Sequence, residues 1–380
     1  MADFLRRLPE GGVEGTSKPS FWQRVHLDPI LLCIVYAILG IGTFVLISAG
    51  ESSLYYVKRQ LVFAGIGTIA MIVVAQLPPS FMRRWVWPVY VFGILLLLVV
   101  LFFGAGAKGA QRWIDLGVIS FQPSEIVKLT LPITVAAFLS QGPLPPNLGR
   151  VVTTLVLVLT PMGLVLKQPD LGTGMLIAAS GFIVLFLAGL KWRYLIAAFV
   201  LALIGLPLLW LFVMHDYQRQ RVLTMFNPEA DKLGAGWNII QSKTAIGSGG
   251  WSGKGWMGGT QSHLDFLPEG HTDFIIAVLA EEFGMRGVLF LLCFYMLFVV
   301  RGFWISLNAK SAFGRMVAGA LTFTLFVYVF VNMGMVSGIL PVVGVPLPLV
   351  SYGGTSLLSL FMSFGVLMAI ATEKRKLSDK

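Results

Sequence analysis

Apolar stretches long enough to span a bilayer follow one another along most of this chain, separated by short polar turns. About 20 apolar residues cross the hydrocarbon as a helix, and on that measure the pattern predicts ten spans. They fall near 29–49, 57–76, 85–104, 122–140, 151–167, 173–189, 193–214, 273–300, 315–338 and 346–371. Turns such as Gln76-Leu77-Pro78-Pro79-Ser80 and Gly142-Pro143-Leu144-Pro145-Pro146 bound several of them. No internal repeat is visible. The pattern breaks at 216–271, a long polar loop with two short predicted helices, Tyr217 to Phe226 and Ala235 to Ile246, stopped by Asn227-Pro228 and Gly234. The run that follows, 271–306, would be about 54 Å long as one helix, against about 30 Å of hydrocarbon. Either it projects beyond the membrane, lifting Asp273, or Glu281 and Glu282 are buried. The favoured expectation is projection, with both glutamates near the outer boundary.

Composition agrees with the pattern. The 380 residues are 56% hydrophobic and 12% charged, with mean hydropathy +0.82, whereas soluble domains carry roughly 25% charged residues. The expected fold is an all-α integral membrane protein of about ten transmembrane helices, one polytopic unit over 1–380. Cys33 and Cys293 lie inside apolar spans, which implies no disulfide framework. The first apolar run has full length and no small-residue cleavage site after it, so it reads as a retained anchor. Sixteen Lys and Arg fall in one set of short loops and tails and five in the short loops of the other set. That asymmetry places both termini, 1–28 and 372–380, in the cytoplasm and the 215–272 loop outside. The net charge of +10 is thereby accounted for by topology, and nucleic acid is not expected as a partner.

Ionisable residues at membrane depth are costly and are functional candidates by default. Glu125 and Lys128 stand at i, i+3 on one face of the fourth span, either as an ion pair locking helices or as a cavity pair whose lysine neutralises phosphate. Arg112 beside Trp113 is an interface anchor or a phosphate clamp beside a sugar-stacking ring. Asp170 is a candidate helix N-cap, and Asp273, after His271, is favoured at a helix start by the macrodipole. The glycine-rich run from Gly247 to Trp256 lacks a Gly-Lys-Ser/Thr pattern, which argues against nucleotide binding. Its amides, with Lys243 and Lys254, either cradle an anion or belong to a packed irregular loop. Pro341, Pro346 and Pro348 cannot sit in one continuous helix. Their segment is expected to line a pocket, since irregular backbone at membrane depth needs protein or water around it.

Pro341-Val342-Val343-Gly344-Val345-Pro346-Leu347-Pro348 running into Ser351-Tyr352-Gly353-Gly354 resembles the signature of the SEDS family (shape, elongation, division and sporulation). The Lys-Gly-Ala-Gln-Arg-Trp segment, the Gln-Pro-Ser-Glu helix start, Gln-Pro-Asp-Leu-Gly-Thr and His-Thr-Asp-Phe occur in the family's order. The wording of the long loop is closer to the elongation branch than to the division branch. This resemblance implies a peptidoglycan glycosyltransferase that polymerises lipid II at the outer face of the bacterial inner membrane, beside a class B penicillin-binding protein and other elongation proteins. It puts the family's essential carboxylate on Asp273, its sensitive Arg-Trp pair on Arg112 and Trp113, and its helix-borne Glu and Lys on Glu125 and Lys128.

Inverting transfer from a polyprenyl-pyrophosphoryl sugar needs one base and a stabiliser for the leaving group. Asp273 would accept the proton of the acceptor hydroxyl. Arg112, Lys128, Lys243 or Lys254 would face the departing pyrophosphate, with Ser351 and Tyr352 in the pocket wall. Asp170, Glu281, Glu282 and His271 are secondary candidates. A divalent cation could share the leaving-group role, although no metal-ligand cluster shows in the sequence. Two other classes fit the bare residue pattern. A lipid II flippase would need a charged path reaching the cytoplasmic side, and a non-catalytic scaffold would need no Asp273.

Overall fold

The structure is a computed structural model that describes residues 21–50, 54–103, 105–107, 110–115, 120–214, 216–231, 234–263 and 270–373. Most of the tails 1–28 and 372–380, together with Lys108 and Gly109, lie outside the described residues. Fourteen α-helices are described: α1 (Phe21–Arg24), α2 (Pro29–Ala49), α3 (Leu54–Ala75), α4 (Pro79–Phe103), α5 (Ser124–Leu139), α6 (Leu148–Lys167), α7 (Leu171–Leu187), α8 (Trp192–Leu208), α9 (Asp216–Phe226), α10 (Ala235–Gly249), α11 (Thr260–His263), α12 (Ile275–Asn308), α13 (Ala312–Val336) and α14 (Gly354–Ala371). Each of the ten expected spans has a helix, and eight of the described helices are long and apolar enough to cross a membrane. α5 and α7, at 16 and 17 residues, are shorter.

Several boundaries follow from side chains that satisfy the free amides of a helix start. Asp28 accepts from Leu31 N at 2.9 Å before Pro29 opens α2. Asn147 caps α6 through Arg150 N at 3.0 Å, and Ser311 caps α13 through Gly314 N at 3.0 Å. α14 packs along α3, while α12 lies against α13 and α2. The buried set is mostly apolar but includes polar residues such as Gln60, Glu125, Glu281 and Asn332, and large side chains such as Phe92, Leu95, Phe199 and Leu201 face outward. Exposed apolar area on that scale suits lipid, not water.

The all-α membrane fold is as expected, with one local addition, a small antiparallel sheet between α4 and α5 in the order β1 (Ala105–Ala107), β2 (Ala110–Asp115), β3 (Ser120–Phe121). It places Arg112 and Trp113 on the central strand. One expectation is corrected: the projecting eighth helix is not found. α12 breaks at Gly284, whose φ of 65° and ψ of −164° are not helical, in a region essentially reserved for glycine. Both glutamates before the break are buried, Glu281 fully. A break shortens the continuous helix, so the excess length is absorbed inside the protein.

Candidate active site

Past Val336 the chain stays irregular until α14 begins at Gly354. Three prolines remove amide donors that this buried segment would otherwise have to satisfy, and side chains meet much of what remains. Asn332, fully buried on α13, donates Nδ2–H to Val345 O at 2.7 Å. Tyr295 donates to Pro348 O at 2.5 Å, and Gln60 donates to Ser351 O at 3.2 Å. The Ser351 hydroxyl accepts from Leu347 N at 2.7 Å, closing a turn within the segment.

The same segment fixes Asp273. Ser351 Oγ donates to Thr272 O at 2.5 Å and Tyr352 N donates to His271 O at 3.0 Å. Asn332 donates its second Nδ2 proton to Asp273 O at 2.9 Å. The backbone on either side of the carboxylate is therefore held by α13 and by the proline-rich segment together. The carboxylate lies over Gly344, where a Cβ would come within 3.4 Å of Asp273 Oδ2. With φ of 73°, Gly344 also adopts a left-handed conformation that few residues other than glycine tolerate. Asp273 is half-buried and precedes α12 instead of lying within its first turn.

Glu125 and Lys128 meet the segment from another side. They form an ion pair on α5, and Ser359 of α14 donates to the second oxygen of Glu125 at 2.6 Å. Lys128 Nζ lies 5.6 Å from the Tyr328 ring centre. Lock and cavity are thus one arrangement: the pair ties α5 to α14 and also lines a small cavity of about 50 Å³ with Tyr328, Pro346, Pro348 and Ser351.

Arg112 spans the Gln-Pro-Asp turn. Its Nε donates to Gln168 O at 3.2 Å, its Nη2 donates to Pro169 O, and Nη1 stands 3.7 Å from Asp170 Oδ2. Asp170 caps α7 through Thr173 N at 3.1 Å and accepts from Gln122 at 3.3 Å. This turn abuts the segment as well, since a Cβ on Gly172 would stand 2.7 Å from Val343 O and 3.1 Å from the Val345 side chain. Trp113 is half-buried beside it on β2. Asp273, the Arg112–Asp170 turn and the Glu125–Lys128 pair thus converge on residues 343–351.

Lys243, Lys254, Glu281 and Glu282 lie elsewhere. At the Gly284 break the glycine-rich loop fills the interrupted helix. Lys254 N and Gly255 N donate to Glu281 O and Glu282 O at 3.0 and 2.9 Å, while Met285 N and Arg286 N donate to Gly250 O and Trp251 O at 3.0 and 3.3 Å. Glu281 accepts from Lys254 Nζ at 2.7 Å, Thr260 N at 2.8 Å and Gln261 N at 2.9 Å. Ser48 donates to Glu282. The amides of 254 and 255 are spent on the helix break, and this stretch of the loop is packed against α12. Lys243 extends over Gly338, just past the end of α13, where neighbouring Ser242 donates to Val336 O at 2.8 Å.

Asn332, Gln60, Ser359 and Tyr328 did not emerge from the sequence as site residues. The signal available for the first two was a polar amide inside an apolar span. Among the described residues no group of three or more His, Cys, Asp or Glu is placed to hold a metal ion.

Residues 26–376 match the family model FTSW_RODA_SPOVE, described as cell cycle protein. Over 365 residues the chain is 53% identical to the peptidoglycan glycosyltransferase MrdB of Escherichia coli (strain K12), covering 96% of this chain and 99% of that one. Among solved structures it resembles a chain of a peptidoglycan synthase complex that coordinates polymerization and crosslinking. The TM-score there is 0.81 at 32% identity, with 90% of this chain and 97% of the other covered. It also resembles the rod shape determining protein RodA of Thermus thermophilus, with TM-score 0.69 at 30% identity and 90% and 96% coverage.

Proposed function

Because this multi-pass membrane protein belongs to the FtsW/RodA/SpoVE family of SEDS proteins, we propose that it is a peptidoglycan glycosyltransferase, polymerising lipid II during cell elongation with Asp273 as its base. The observation that carries the site assignment is the convergence of a held carboxylate, a cation-bearing cavity wall and the Arg112–Asp170 turn on one proline-rich segment. Asp273, its flanking carbonyls held by Asn332 and Ser351, would accept the proton of the acceptor 4-hydroxyl as that oxygen attacks C1 of the donor sugar. Inversion at C1 expels undecaprenyl pyrophosphate. Lys128, kept at the cavity wall by Glu125, would face the charge developing on that leaving group. Arg112, largely engaged by backbone carbonyls and Asp170, shapes the turn and presents its remaining charge to the same side. A divalent cation bound there would supply further positive charge against the departing pyrophosphate. Lys254 is assigned to loop packing instead.

The reading places the protein in the bacterial inner membrane with the 215–272 loop and Asp273 on the periplasmic side, in line with the Lys and Arg asymmetry. A class B penicillin-binding protein is the proposed partner, supported by the likeness to a synthase complex that couples polymerization to crosslinking. The test is the purified complex with lipid II in the presence of moenomycin. Wild type should make glycan, and Asp273→Asn, which keeps shape and loses the charge, should be slower by about 10²–10⁴-fold at unchanged melting temperature. Near-normal output from Asp273→Asn would remove Asp273 as the base.

A further inference from the structure

We propose that a rim of four rings beside Asp273, with Tyr55 at its open edge, is a stacking platform for the pyranose ring of the acceptor glycan. The inference rests on the polymerase reading above. His271 stacks on Tyr56 of α3 with ring centres 4.5 Å apart and planes 29° apart. Tyr352 meets Tyr56 edge-on at 5.2 Å, and Tyr55 meets it edge-on at 5.6 Å. Arg59, one turn along α3, donates to the Tyr55 hydroxyl at 2.9 Å and so sets that ring's orientation.

The position of the rim ties it to the chemistry. His271 is two residues before Asp273, and the turn 271–273 is held by Tyr352 N and Ser351 Oγ. Whatever hydroxyl Asp273 deprotonates belongs to a sugar that must lie next to this turn. A pyranose presents an apolar C–H face flanked by hydroxyls, and aromatic rings supply apolar area at low entropic cost together with polar edges. The core does not consume the rim: Tyr55 is 59% exposed, and Tyr56, His271 and Tyr352 are half-buried. Tyr56 aligns His271 and Tyr352, and Tyr55 offers the accessible ring. The competing explanation for tyrosines at the end of a spanning helix is an interfacial belt, which anchors the helix and has no bearing on substrate affinity.

Lipid II polymerisation by the purified complex separates the two. Tyr55→Ala, at an exposed position, should raise KM by about three- to tenfold, the range expected for one aromatic contact, with kcat within about twofold of wild type. Tyr55→Phe and Tyr55→Trp should recover most of the lost affinity, because each restores a ring face. Tyr56→Leu, which removes the support for His271 and Tyr352, should raise KM at least as much. Unchanged KM in Tyr55→Ala would overturn the platform, as would a Tyr55→Phe as impaired as Tyr55→Ala, or a loss confined to kcat or to melting temperature. Wild type that makes glycan beside an unaffected Tyr55→Ala sinks only this inference. Wild type that makes none sinks the polymerase reading itself.

Discussion

Replacing Lys254 by Met distinguishes a lysine that packs a loop from one that meets substrate. Glu281 is fully buried and accepts from Lys254 Nζ at 2.7 Å and from the amides of Thr260 and Gln261. Removing one partner of a buried ion pair costs about 3–5 kcal/mol, because the remaining charge stays desolvated. The Lys254 side chain is 27% exposed, and the two amides still bond the carboxylate, so water and backbone recover part of that. A cost of about 2–3 kcal/mol is expected for Lys254→Met by that principle. Glu281→Gln removes the buried charge but keeps an oxygen for the amides, and should cost about 1–2 kcal/mol. In the double variant no charge is left unpaired, so the losses should fall short of their sum by about 1–2 kcal/mol. Thermal unfolding of the four proteins in one detergent measures the cycle, and lipid II polymerisation on the same samples gives the functional side. The double variant should regain most of the activity lost by Lys254→Met. Additive destabilisation would refute the lock. A stable double variant without activity would return Lys254 to the substrate.

Three further outcomes follow from the geometry. Lys128→Met should abolish polymerisation while the protein still folds and binds its partner, whereas restoration of full activity by Glu125→Lys with Lys128→Glu would reduce the pair to a structural lock. Asn332→Ala leaves the carbonyls of Val345 and Asp273 without their donor, a loss of about 2–4 kcal/mol for two buried hydrogen bonds. Its glycan output should fall further than its melting temperature alone explains, and equal falls in both would mean that Asn332 only stabilises. A single cysteine at Ser252, exposed in the glycine-rich loop, should react with an impermeant reagent in intact spheroplasts, and protection there would reverse the proposed orientation.

The spans were legible in the sequence because each carries its own length of apolar residues, and length is what the bilayer selects. The two short loop helices were legible from their stop signals: α9 and α10 end and begin around Asn227-Pro228 and Gly234 as expected. The break at Gly284 was not. A glycine inside an apolar run has the same appearance whether it is helical or left-handed, and what distinguishes this one is the loop 30 residues earlier whose backbone fills the gap. The one local hint is arithmetic, a run too long for the membrane that carries two glutamates, and that length fits a projecting helix as readily as a broken one. The Lys254–Glu281 pair illustrates the same limit: its partners are 27 positions apart, and no periodicity relates them. Asn332 and Gln60 stand between these cases. A lone amide in a spanning helix announces a bonding partner, but the sequence does not say that the partners are Val345, Asp273 and Ser351.

Two interruptions of the spanning structure, at Gly284 and between Val336 and Gly354, differ in a way that locates the chemistry. A broken helix frees backbone donors and acceptors that must be satisfied within the protein. At Gly284, two carbonyls before the break and two amides after it are matched by the loop 250–255, and the charges beside it are paired or hydrogen-bonded with loop and helix groups. That interruption is closed. Between Val336 and Gly354 the solution is different. Pro341, Pro346 and Pro348 present no amide at all, side chains of Asn332, Tyr295 and Gln60 reach the carbonyls of Val345, Pro348 and Ser351, and short bonds such as Ser351 N to Leu347 O close turns within the segment. This interruption is held largely by side chains from other helices, and a small cavity bounded by Lys128 and Ser351 lies beside it. The same arrangement makes Asp273 depend on this segment, because the bonds that hold the segment also hold the backbone of 271–273. The segment that bounds the cavity on one side and carries Asp273 over Gly344 on another is therefore held by one set of contacts, and disturbing any of these should misplace the base before it unfolds the protein.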